Sequence, residues 1–412
     1  MSSDVPSLAG QAWLEDERFQ SVMAALTSAG GTARAVGGCV RDALLDGAVS
    51  PQDVDIATDL LPEQVTQAGA SAGLGVHPTG LEHGTVMLTA GEEGSRAGFE
   101  VTTLRVDVKT DGRHAEVTFT QDWVEDAKRR DFTMNALYCD GDGTVFDPLS
   151  GYQDLAAKRV VFVGDANKRI KEDYLRILRF YRFLSRFGVE DVHAVSRQAC
   201  RALRQGLDGL SRERIAQEFS RLIAARWAVQ TVTLMRDDSV LEHVFDGAPT
   251  LMDFANLKKI LEENDLQSER VLLISILFSS ANVNELQQGF VLTNDEVKRL
   301  ERVNSAGPVQ TGLRDEEVDR LIYWAGDQTF YDVLLMCWAK SGLRGNDEGW
   351  RRLLARWQSW KKPSFPVTGA DLLKLGFEEG PALGNALQTL EDWWVAGGFQ
   401  DNKETLLKRL EK

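Results

Sequence analysis

Two aspartates separated by one residue are the side chains in this sequence best suited to metal-assisted chemistry. If the run from Asp53 to Ile56 forms a strand, Asp53 and Asp55 share one face while Val54 points into the core. Like charges this close repel, and hard divalent cations with oxygen ligands compensate the repulsion. Two such ions suit in-line phosphoryl or nucleotidyl transfer, because one activates an attacking hydroxyl and the other steadies the leaving pyrophosphate. Taken alone, an Asp-x-Asp pair is more often a solvated acidic pair beside a turn.

A third carboxylate commonly completes a site of this kind. Glu100, on a predicted strand over 99–104, is the first candidate, and Asp107 is the second. The competing interpretation is that Glu100 is only a residue at the edge of a sheet. We therefore predict Asp53, Asp55 and Glu100 as catalytic carboxylates, with the two aspartates as the metal ligands.

A pair of glycines precedes the aspartates, where a predicted strand gives way to a helix. Gly37 and Gly38 allow backbone N–H groups to approach a phosphate closely, and the helix N-terminus that follows favours an anion. Arg41 can add a charge-assisted, bidentate contact. A Gly-Gly turn on its own is weak evidence, because most such turns only reverse the chain.

A row of charged residues lies further along, in a stretch that reads as one amphipathic helix over 166–186. Asp173 and Arg176 are three positions apart and therefore lie on one side of that helix. Arg179 and Arg182 continue the row in a stripe that drifts around the helix axis. Without further context, the pattern favours a surface ion-pair ladder over a binding site.

The elements that must position these residues form an α/β region followed by helices, which predicts an α+β fold. Strand-like runs separated by glycine-rich turns stop near Asp147. We predict strands over 33–36, 54–57, 85–89, 99–104, 117–119 and 136–139. Helices are predicted over 166–186, 191–205 and 211–225, with several more up to residue 412. Together with glycine and proline clusters near 247–249 and 362–366, this pattern predicts domains over 1–150, 151–236, 237–362 and 363–412.

Charge is distributed unevenly along the 412 residues. The net charge of −15 argues against a protein that binds nucleic acid by bulk charge. Residues 1–150 carry 10 basic and 24 acidic side chains, residues 151–236 carry 17 and 9, and residues 237–412 carry 20 and 29. Local charge decides whether a phosphate backbone can dock, so the basic middle segment remains a candidate surface.

Cellular context is constrained by what the sequence lacks. It has no apolar run long enough to span a bilayer, and its first residues lack the basic and apolar regions of a signal peptide. The cysteines at 39, 139, 200 and 337 are far apart and show no metal-site spacing. We predict reduced thiols, a cytoplasmic protein and no membrane partner.

The order of the motifs is more specific than any one of them. The Gly37-Gly38 turn with Arg41-Asp42, the Asp53-x-Asp55 strand and the segment 128–136, Lys-Arg-Arg-Asp-Phe-Thr-Met-Asn-Ala, follow one another in a single α/β region. In this order they resemble the class II tRNA nucleotidyltransferases, the bacterial and eukaryotic-type CCA-adding enzymes of the polymerase-β superfamily. The resemblance continues through residues 82–85, 100–107, 110–115 and 147–148 into the helical half.

This resemblance implies an architecture and a set of nucleotide contacts. A small mixed α/β nucleotidyltransferase head is followed by an all-helical neck, body and tail. Gly37, Gly38 and Arg41 would hold the triphosphate, and the aspartate pair would hold Mg²⁺. The nucleotide phosphate and ribose would be contacted by Arg130, Asp131 and Asn135.

In the neck, the resembled family carries a Glu-Asp-x-x-Arg motif that matches Glu172, Asp173 and Arg176. There the aspartate and arginine read the incoming base in place of a template. Cytosine and adenine each offer an exocyclic amino donor beside a ring-nitrogen acceptor, which these two side chains can satisfy. Arg179 and Arg182 would assist with triphosphate charge or tRNA.

Two further segments match the family. Residues 211–218 would brace the head against the neck, and residues 107–116 occupy the place of the family's flexible loop. The C-terminal helices would form the body and tail that grip the tRNA.

The implied function is addition of C, C and A from CTP and ATP to the tRNA 3′ acceptor end, with pyrophosphate release. A bacterial poly(A) polymerase and an enzyme that adds only CC or only A share these motifs. A catalytically silent RNA-binding protein on the same fold is the alternative from another class, against which the intact aspartate pair argues. The sequence leaves the oligomeric state open.

Overall fold

The computed structural model describes residues 5–45, 47, 49–50, 53–111, 114–267 and 269–410, without the side chains of 79, 82 and 107–116. It divides into two compact units, one of residues up to Asp246 and one of residues from Gly247 onwards. This division falls at the predicted glycine and proline cluster at 247–249. The four-domain boundaries of the sequence analysis remain predictions.

The first unit contains the sheet that carries the aspartate pair. Its strands are β1 (Ala33–Val36), β2 (Asp55–Thr58), β3 (Gly75–Gly80), β4 (Thr85–Ala90), β5 (Ala97–Thr103), β6 (Arg105–Asp111), β7 (His114–Phe119), β8 (Tyr138–Cys139) and β9 (Val145–Phe146). Within the described ranges, seven of them form a mixed sheet in the order β3-β4-β5-β2-β1-β8-β9, and β6 pairs with β7 separately. β2 and β5 are parallel, and the other pairs are antiparallel.

Helices pack against this sheet, among them α1 (Glu17–Ser28) and α3 (Pro62–Ser71), and further helices build the rest of the first unit. In that unit they are α1 (Glu17–Ser28), α2 (Gly38–Leu44), α3 (Pro62–Ser71), α4 (Trp123–Lys128), α5 (Gly151–Ala156), α6 (Ala166–Glu172), α7 (Leu175–Phe187), α8 (Ala194–Leu203), α9 (Arg212–Ala224), α10 (Ala228–Asp237) and α11 (Leu241–Val244). The buried face of α1 packs on the sheet, where the Phe19 ring lies 6.1 Å from the ring of Phe99. Burial of such aromatic pairs fixes the sheet on which the site is built.

The second unit is helical throughout its described part. It contains α12 (Leu251–Glu263), α13 (Arg270–Leu277), α14 (Val283–Phe290), α15 (Asn294–Ser305), α16 (Asp315–Ala325), α17 (Asp327–Ser341), α18 (Glu348–Ser359), α19 (Gly369–Lys374), α20 (Pro381–Ala396) and α21 (Lys403–Leu410). Leu372, Leu390, Trp394 and Leu406 belong to one of its buried clusters. Of the helices formed by the described residues, none combines the length and apolar character that a bilayer crossing requires.

The continuous helix predicted over 166–186 is wrong. The chain leaves the helix at Asp173, where φ is −155° and ψ is 106°, so that α6 and α7 are separate helices. The Asp173 carboxylate accepts a hydrogen bond from the backbone N–H of Leu175 at 3.1 Å and thereby caps the new helix. The reading of Asp173 and Arg176 as two positions on one helix is corrected accordingly.

Residues 107–116 were predicted as a loop, but their described backbone belongs to the β6–β7 ribbon. Its register pairs Val106 with Thr118 and Thr110 with Ala115. A strand signal was present, because Ala115, Val117 and Phe119 alternate with polar residues along β7. The ribbon does not pair with the main sheet.

Candidate active site

Asp53 and Asp55 lie at the end of β2, on the exposed side of the chain. The strand begins at Asp55, so Asp53 lies just before it rather than on it, and its N–H donates to the Ser50 carbonyl at 2.9 Å. The predicted alternation nevertheless holds: both aspartates are exposed, whereas Val54 is 2% exposed and Ile56 is fully buried. Both carboxylates are therefore available to a ligand, while the buried Val54 and Ile56 anchor the chain to the core.

Glu100 lies beside Asp55 at the same end of the sheet. The parallel register of β2 and β5 matches Ile56 with Val101, which places Asp55 level with Glu100. Desolvation by the surrounding protein raises the pKa of Asp55, and the negative charges of Glu100 and Asp53 raise it further. Two of the predicted carboxylates thus act electrostatically on the third, Asp55. The side chain of the other candidate, Asp107, lies outside the described residues.

Arg130 bridges these carboxylates and the glycine turn. Its positive charge opposes the rise in the pKa of Asp55. Its Nη1 atom lies 3.5 Å from the position that a Cβ atom at residue 37 would occupy. Gly37 has a φ of 76°, in the left-handed region that favours glycine, and its N–H donates to the Leu137 carbonyl at 3.0 Å. Only glycine fits this turn without strain, which explains one of the two glycines identified in the sequence.

Arg41 follows the turn on α2 and is only 7% exposed. Its Nη1 donates to Asn135 Oδ1 at 2.6 Å and its Nε donates to Asp42 Oδ1 at 2.8 Å. The guanidinium also lies 5.0 Å from the centre of the Phe183 ring on α7. The turn is therefore connected both to the 128–136 segment and to the neck helix.

The 128–136 segment continues this connection. Asn135 Nδ2 donates to Asp131 Oδ1 at 2.9 Å, and Arg179 Nε donates to Asp131 Oδ2 at 2.7 Å. Burial alone would raise the pKa of Asp131, but Arg179 and the Asn135 amide hold it below its usual range. Asp131 is therefore a charged, fully engaged carboxylate, which links the head to α7.

Arg182 is held one turn further along α7. Its Nε donates to Glu218 Oε2 at 2.5 Å, and its guanidinium lies 4.4 Å from the centre of the Phe183 ring. Glu218 is a buried residue of α9, in the segment predicted to brace the neck, and its other oxygen lies 3.7 Å from Arg179 Nη1. Glu218 on α9 thus contacts both arginines, and Arg179 is also held from the head by Asp131.

The Asp173 side chain is fixed by a partner on α9. Its Oδ2 accepts from Arg214 Nη2 at 2.8 Å, while its Oδ1 caps α7. The pairing is only partly buried, with about a quarter of each side chain exposed. The carboxylate is therefore oriented before any ligand arrives, and it remains accessible.

Arg176 is fixed by different partners. Its Nη1 donates to Glu172 Oε2 at 2.7 Å and to the Arg169 carbonyl at 2.8 Å. Its Nη2 lies 3.4 Å from the carbonyl oxygen of Arg129, the residue before Arg130 in the head. Asp173 and Arg176 are consequently positioned independently, one from α9 and the other from α6 and the head.

A cleft of about 810 Å³ lies on the outer side of this arrangement, between α4 and α6. Its lining includes Arg129, Arg169 and Glu172, which hold Arg176, and the exposed Lys168 and Lys171. The cleft belongs to the first unit and borders the helices of the site.

The sequence analysis did not single out Asp126, which pairs with Arg129 at 2.7 Å and with Arg130 at 3.2 Å. A signal was present, because positions i, i+3 and i+4 of a helix lie on one side. It also gave only a bracing role to the segment that holds Arg214 and Glu218. Arg214 and Glu218 contact residues of other helices, and such contacts cannot be predicted from the local spacing of residues in the sequence.

A strand end that carries carboxylates, a glycine turn and a row of half-buried arginines on the neck helix are the features of a nucleotidyltransferase head. Comparison with known proteins agrees: residues 33–161 match the family model described as "Poly A polymerase head domain". Residues 191–253 match a second model, described as "Probable RNA and SrmB- binding site of polymerase A".

Similarity to individual proteins extends over nearly the whole chain. CCA tRNA nucleotidyltransferase 1, mitochondrial, of Danio rerio is 35% identical over 388 residues, which cover 92% of this chain and 86% of that protein. The CCA-adding enzyme of Limosilactobacillus fermentum is 31% identical over 407 residues, 96% of each chain. The crystal structure of the Bacillus stearothermophilus CCA-adding enzyme in complex with CTP superposes with a TM-score of 0.74 at 28% identity, covering 95% of this chain and 98% of that one.

The chain therefore belongs to the class II CCA-adding enzymes, and it is a tRNA nucleotidyltransferase. The family resemblance and the α+β fold drawn from the sequence are confirmed. The roles of the individual site residues remain predictions.

Proposed function

We propose that this protein adds C, C and A in turn to the 3′ end of tRNA, with CTP and ATP as donors and pyrophosphate as the leaving group. The observation that carries the proposal is the alignment of Asp53, Asp55 and Glu100 at one end of the sheet, beside the Gly37 turn. The charges of Glu100 and Asp53 raise the pKa of Asp55, and negative charges gathered in this way are unfavourable unless a cation joins them. The same unit carries Asp173 and Arg176, which can read a base.

The family uses a divalent metal, and we propose that it is Mg²⁺, held by Asp53 and Asp55 with Glu100 nearby. Among the described residues, no three or more His, Cys, Asp or Glu side chains are drawn together into a ready-made metal site. The donor set nevertheless fits the ion, because Mg²⁺ takes one or two carboxylates and completes its shell with water and substrate phosphates. When bound, the metal activates the attacking 3′ hydroxyl and neutralises charge on the triphosphate.

The chain's own residues would hold the rest of the nucleotide. The Gly37-Gly38 turn lets the backbone approach the triphosphate, and Arg41 and Arg130 supply positive charge on either side of that turn. Asp131 and Asn135, fixed to each other at 2.9 Å, would contact phosphate and ribose. Arg179 and Arg182 would carry further triphosphate charge from the neck.

Base selection would follow from the fixed positions of Asp173 and Arg176. The carboxylate can accept from the amino group of cytosine or adenine, while the guanidinium donates to the ring nitrogen. Uracil and guanine turn a carbonyl oxygen towards the carboxylate, and an unpaired polar group in a buried site costs about 1–3 kcal/mol. Because the two side chains are anchored by different elements, a nucleotide must match both of them.

The helices of the second unit, together with the neck, would grip the tRNA as body and tail. This assignment follows the family and the basic composition of residues 151–236. The described contacts of the second unit show no chemical constellation of their own.

The test is extension of defined tRNA in the presence of Mg²⁺. Three substrates are compared: tRNA lacking all three terminal nucleotides, tRNA lacking the last two, and tRNA lacking only the terminal A. With labelled CTP and ATP, we expect each to be completed to CCA and extension then to stop. Long A tails would indicate a poly(A) polymerase, and addition of only CC or only A would indicate a partial enzyme. If the protein binds tRNA but incorporates no nucleotide, it is a catalytically silent RNA-binding protein.

A further inference from the structure

Asp126 is a buried carboxylate beside the candidate active site to which the proposed function gives no role. Asp126 is only 1% exposed. One oxygen, Oδ2, accepts from the Tyr138 hydroxyl at 2.7 Å and from Arg130 Nη2 at 3.2 Å. The other, Oδ1, accepts from Arg129 Nε at 2.7 Å and from the Arg105 backbone N–H at 3.3 Å. A buried charge with this many donors is well compensated, and removal of its charge deprives these donors of their shared anionic partner.

One branch of this network leads to the triphosphate side of the site. Arg130 is held by Asp126 through Nη2 and by the Tyr138 oxygen, which accepts from Nε at 3.3 Å. Held in this way, its Nη1 is directed to the Gly37 turn and its charge acts on Asp55. Of the hydrogen bonds that the described residues give this guanidinium, only the one to the neutral Tyr138 phenol would remain without Asp126.

The other branch leads to the base-reading side. Arg129 is anchored by its side chain to Asp126, and its carbonyl oxygen accepts from Arg169 Nη1 at 3.0 Å. The same carbonyl lies 3.4 Å from Arg176 Nη2. The position of the Arg129 backbone therefore contributes to the position of the arginine that would read the base.

We propose that Asp126 is a positioning residue that sets Arg130 and Arg176 together, and so couples triphosphate binding to base selection. Arg129 and Arg130 share the Asp126 carboxylate, so neither can shift without disturbing the partner of the other. The positions of Arg130 and of Arg176, which contacts the Arg129 carbonyl, are therefore interdependent. The Arg105 N–H adds the first residue of the β6–β7 ribbon to the same carboxylate. A movement of the ribbon would thus change the positions of both Arg130 and Arg176. This inference rests on the proposed function, because it assumes that Asp173 and Arg176 select the incoming base.

The alternative is that Asp126 only stabilises the fold, and the chain provides a matched control for this role. Asp238 is 3% exposed and accepts from a tyrosine hydroxyl, that of Tyr181, at 2.8 Å. It also accepts from Arg197 Nη2 at 2.8 Å and lies 3.5 Å from Arg201 Nε. The chemistry of this cluster resembles that around Asp126. Tyr181 neighbours Arg182 along α7, but in the described structure no side chain of the cluster forms a hydrogen bond or ion pair with a predicted site residue.

The experiment compares the full chain with Asp126→Asn, Tyr138→Phe and Asp238→Asn. For each protein, the melting temperature, kcat/KM for CTP and the ratio of CTP to UTP incorporation are measured on tRNA lacking its three terminal nucleotides. Equilibrium affinities for CTP and UTP are measured separately, without transfer. Loss of supporting residues around a reactive centre typically costs 10- to 100-fold. We expect Asp126→Asn to lower kcat/KM for CTP by roughly that factor and to reduce CTP preference in both assays.

Asp238→Asn is expected to lower the melting temperature comparably while it leaves CTP preference unchanged. Tyr138→Phe removes one donor to Asp126 and is expected to show a smaller change of the same kind. If Asp126→Asn does not fold, Tyr138→Phe decides the question. Unchanged CTP preference in the folded variant, or an equal change in Asp238→Asn, would overturn the inference. A protein that binds CTP in preference to UTP but never extends tRNA would contradict the proposed function. The effect of Asp126→Asn on the binding preference would still test the role of Asp126.

Discussion

Arg41 Nη1 donates a 2.6 Å hydrogen bond to Asn135 Oδ1, joining residues that are 94 positions apart. The amide nitrogen of the same Asn135 donates to Asp131, which in turn accepts from Arg179 on the neck helix. One buried side chain thus connects the glycine turn of the head to the neck. Because amide oxygen and nitrogen have opposite hydrogen-bonding roles, the side chain can serve a cation and a carboxylate at once.

Replacing Asn135 with Ala is expected to leave both Arg41 and Asp131 without this partner. Each buried group that loses a hydrogen bond costs about 1–3 kcal/mol, so the free energy of unfolding should fall by about that amount or more. The KM for CTP should also rise, because Arg41 would no longer be fixed beside the turn. Asn264→Ala is the control, since that amide donates to the carbonyls of Ile260 and Gly345 in the second unit. A stability loss without a KM difference between the two variants would contradict the connection.

The aspartate pair gives the second prediction. Asp53→Ala is expected to lower nucleotide transfer at least 100-fold, since even an outer residue of a metal site commonly costs 10- to 100-fold. Binding of tRNA should persist. The control is Asp59→Ala, which removes a nearby carboxylate that accepts from the Thr32 N–H at 2.8 Å. Undiminished turnover in the Asp53 variant, measured with labelled CTP, would rule out this metal site.

Metal removal gives the third prediction. Dialysis against a chelator is expected to abolish nucleotide addition, and Mg²⁺ should restore it, because the carboxylates beside Asp55 need a cation to hold a triphosphate. The far-ultraviolet circular dichroism should not change, since Asp53 and Asp55 are exposed and lie outside the packed core. Addition that proceeds at full rate in the chelator would show that these carboxylates serve another purpose.

Much of the head could be predicted because its signals are local. The strand over 33–36 was predicted with the bounds that it has, and Val54 and Ile56 revealed the buried side of the aspartate strand. β3 was missed because Gly75 and Pro78 argue against a strand, although proline is tolerated at a sheet edge, where β3 lies.

The break at Asp173 could not be predicted because its cause is distant in sequence. The apolar spacing of residues 166–186 continues through the break and favours one helix. In the structure, the Tyr174 ring occupies the space beside Gly206, which is 32 positions away. The partners that fix Asp173 and Arg176, among them Arg214 and the Arg129 carbonyl, also come from other elements. Periodicity identified the charged residues but not what holds them.

The double substitution Asp173→Ala with Arg176→Ala addresses base selection. It is expected to increase UTP and GTP incorporation relative to CTP and ATP by roughly 5- to 150-fold, corresponding to the 1–3 kcal/mol of one unsatisfied buried group. Addition should remain dependent on Mg²⁺, because neither residue belongs to the carboxylate cluster on the sheet. Competition between labelled nucleotides on tRNA lacking its three terminal nucleotides measures the ratio. Unchanged fidelity would defeat the templating role.

The last prediction concerns the Tyr174 ring, which lies at the break between α6 and α7 and packs beside Gly206. A Cβ atom at residue 206 would lie 1.9 Å from Tyr174 Cδ1, so Gly206→Ala must displace the ring. Overpacking of this kind costs about 1–3 kcal/mol. The displaced ring adjoins Asp173, and we therefore expect Gly206→Ala to lower CTP preference as well as the free energy of unfolding.

Gly209 is the matched control, because it lies in the same short helical segment, Arg204–Gly209, and a Cβ atom there would meet nothing within 4 Å. Gly209→Ala should leave both quantities close to those of the unaltered chain. Denaturant unfolding and the CTP-to-UTP incorporation ratio are measured on both variants. If Gly206→Ala lost stability but kept its nucleotide preference, the Tyr174 ring would serve only packing, and Arg214 and the Leu175 N–H would suffice to orient Asp173.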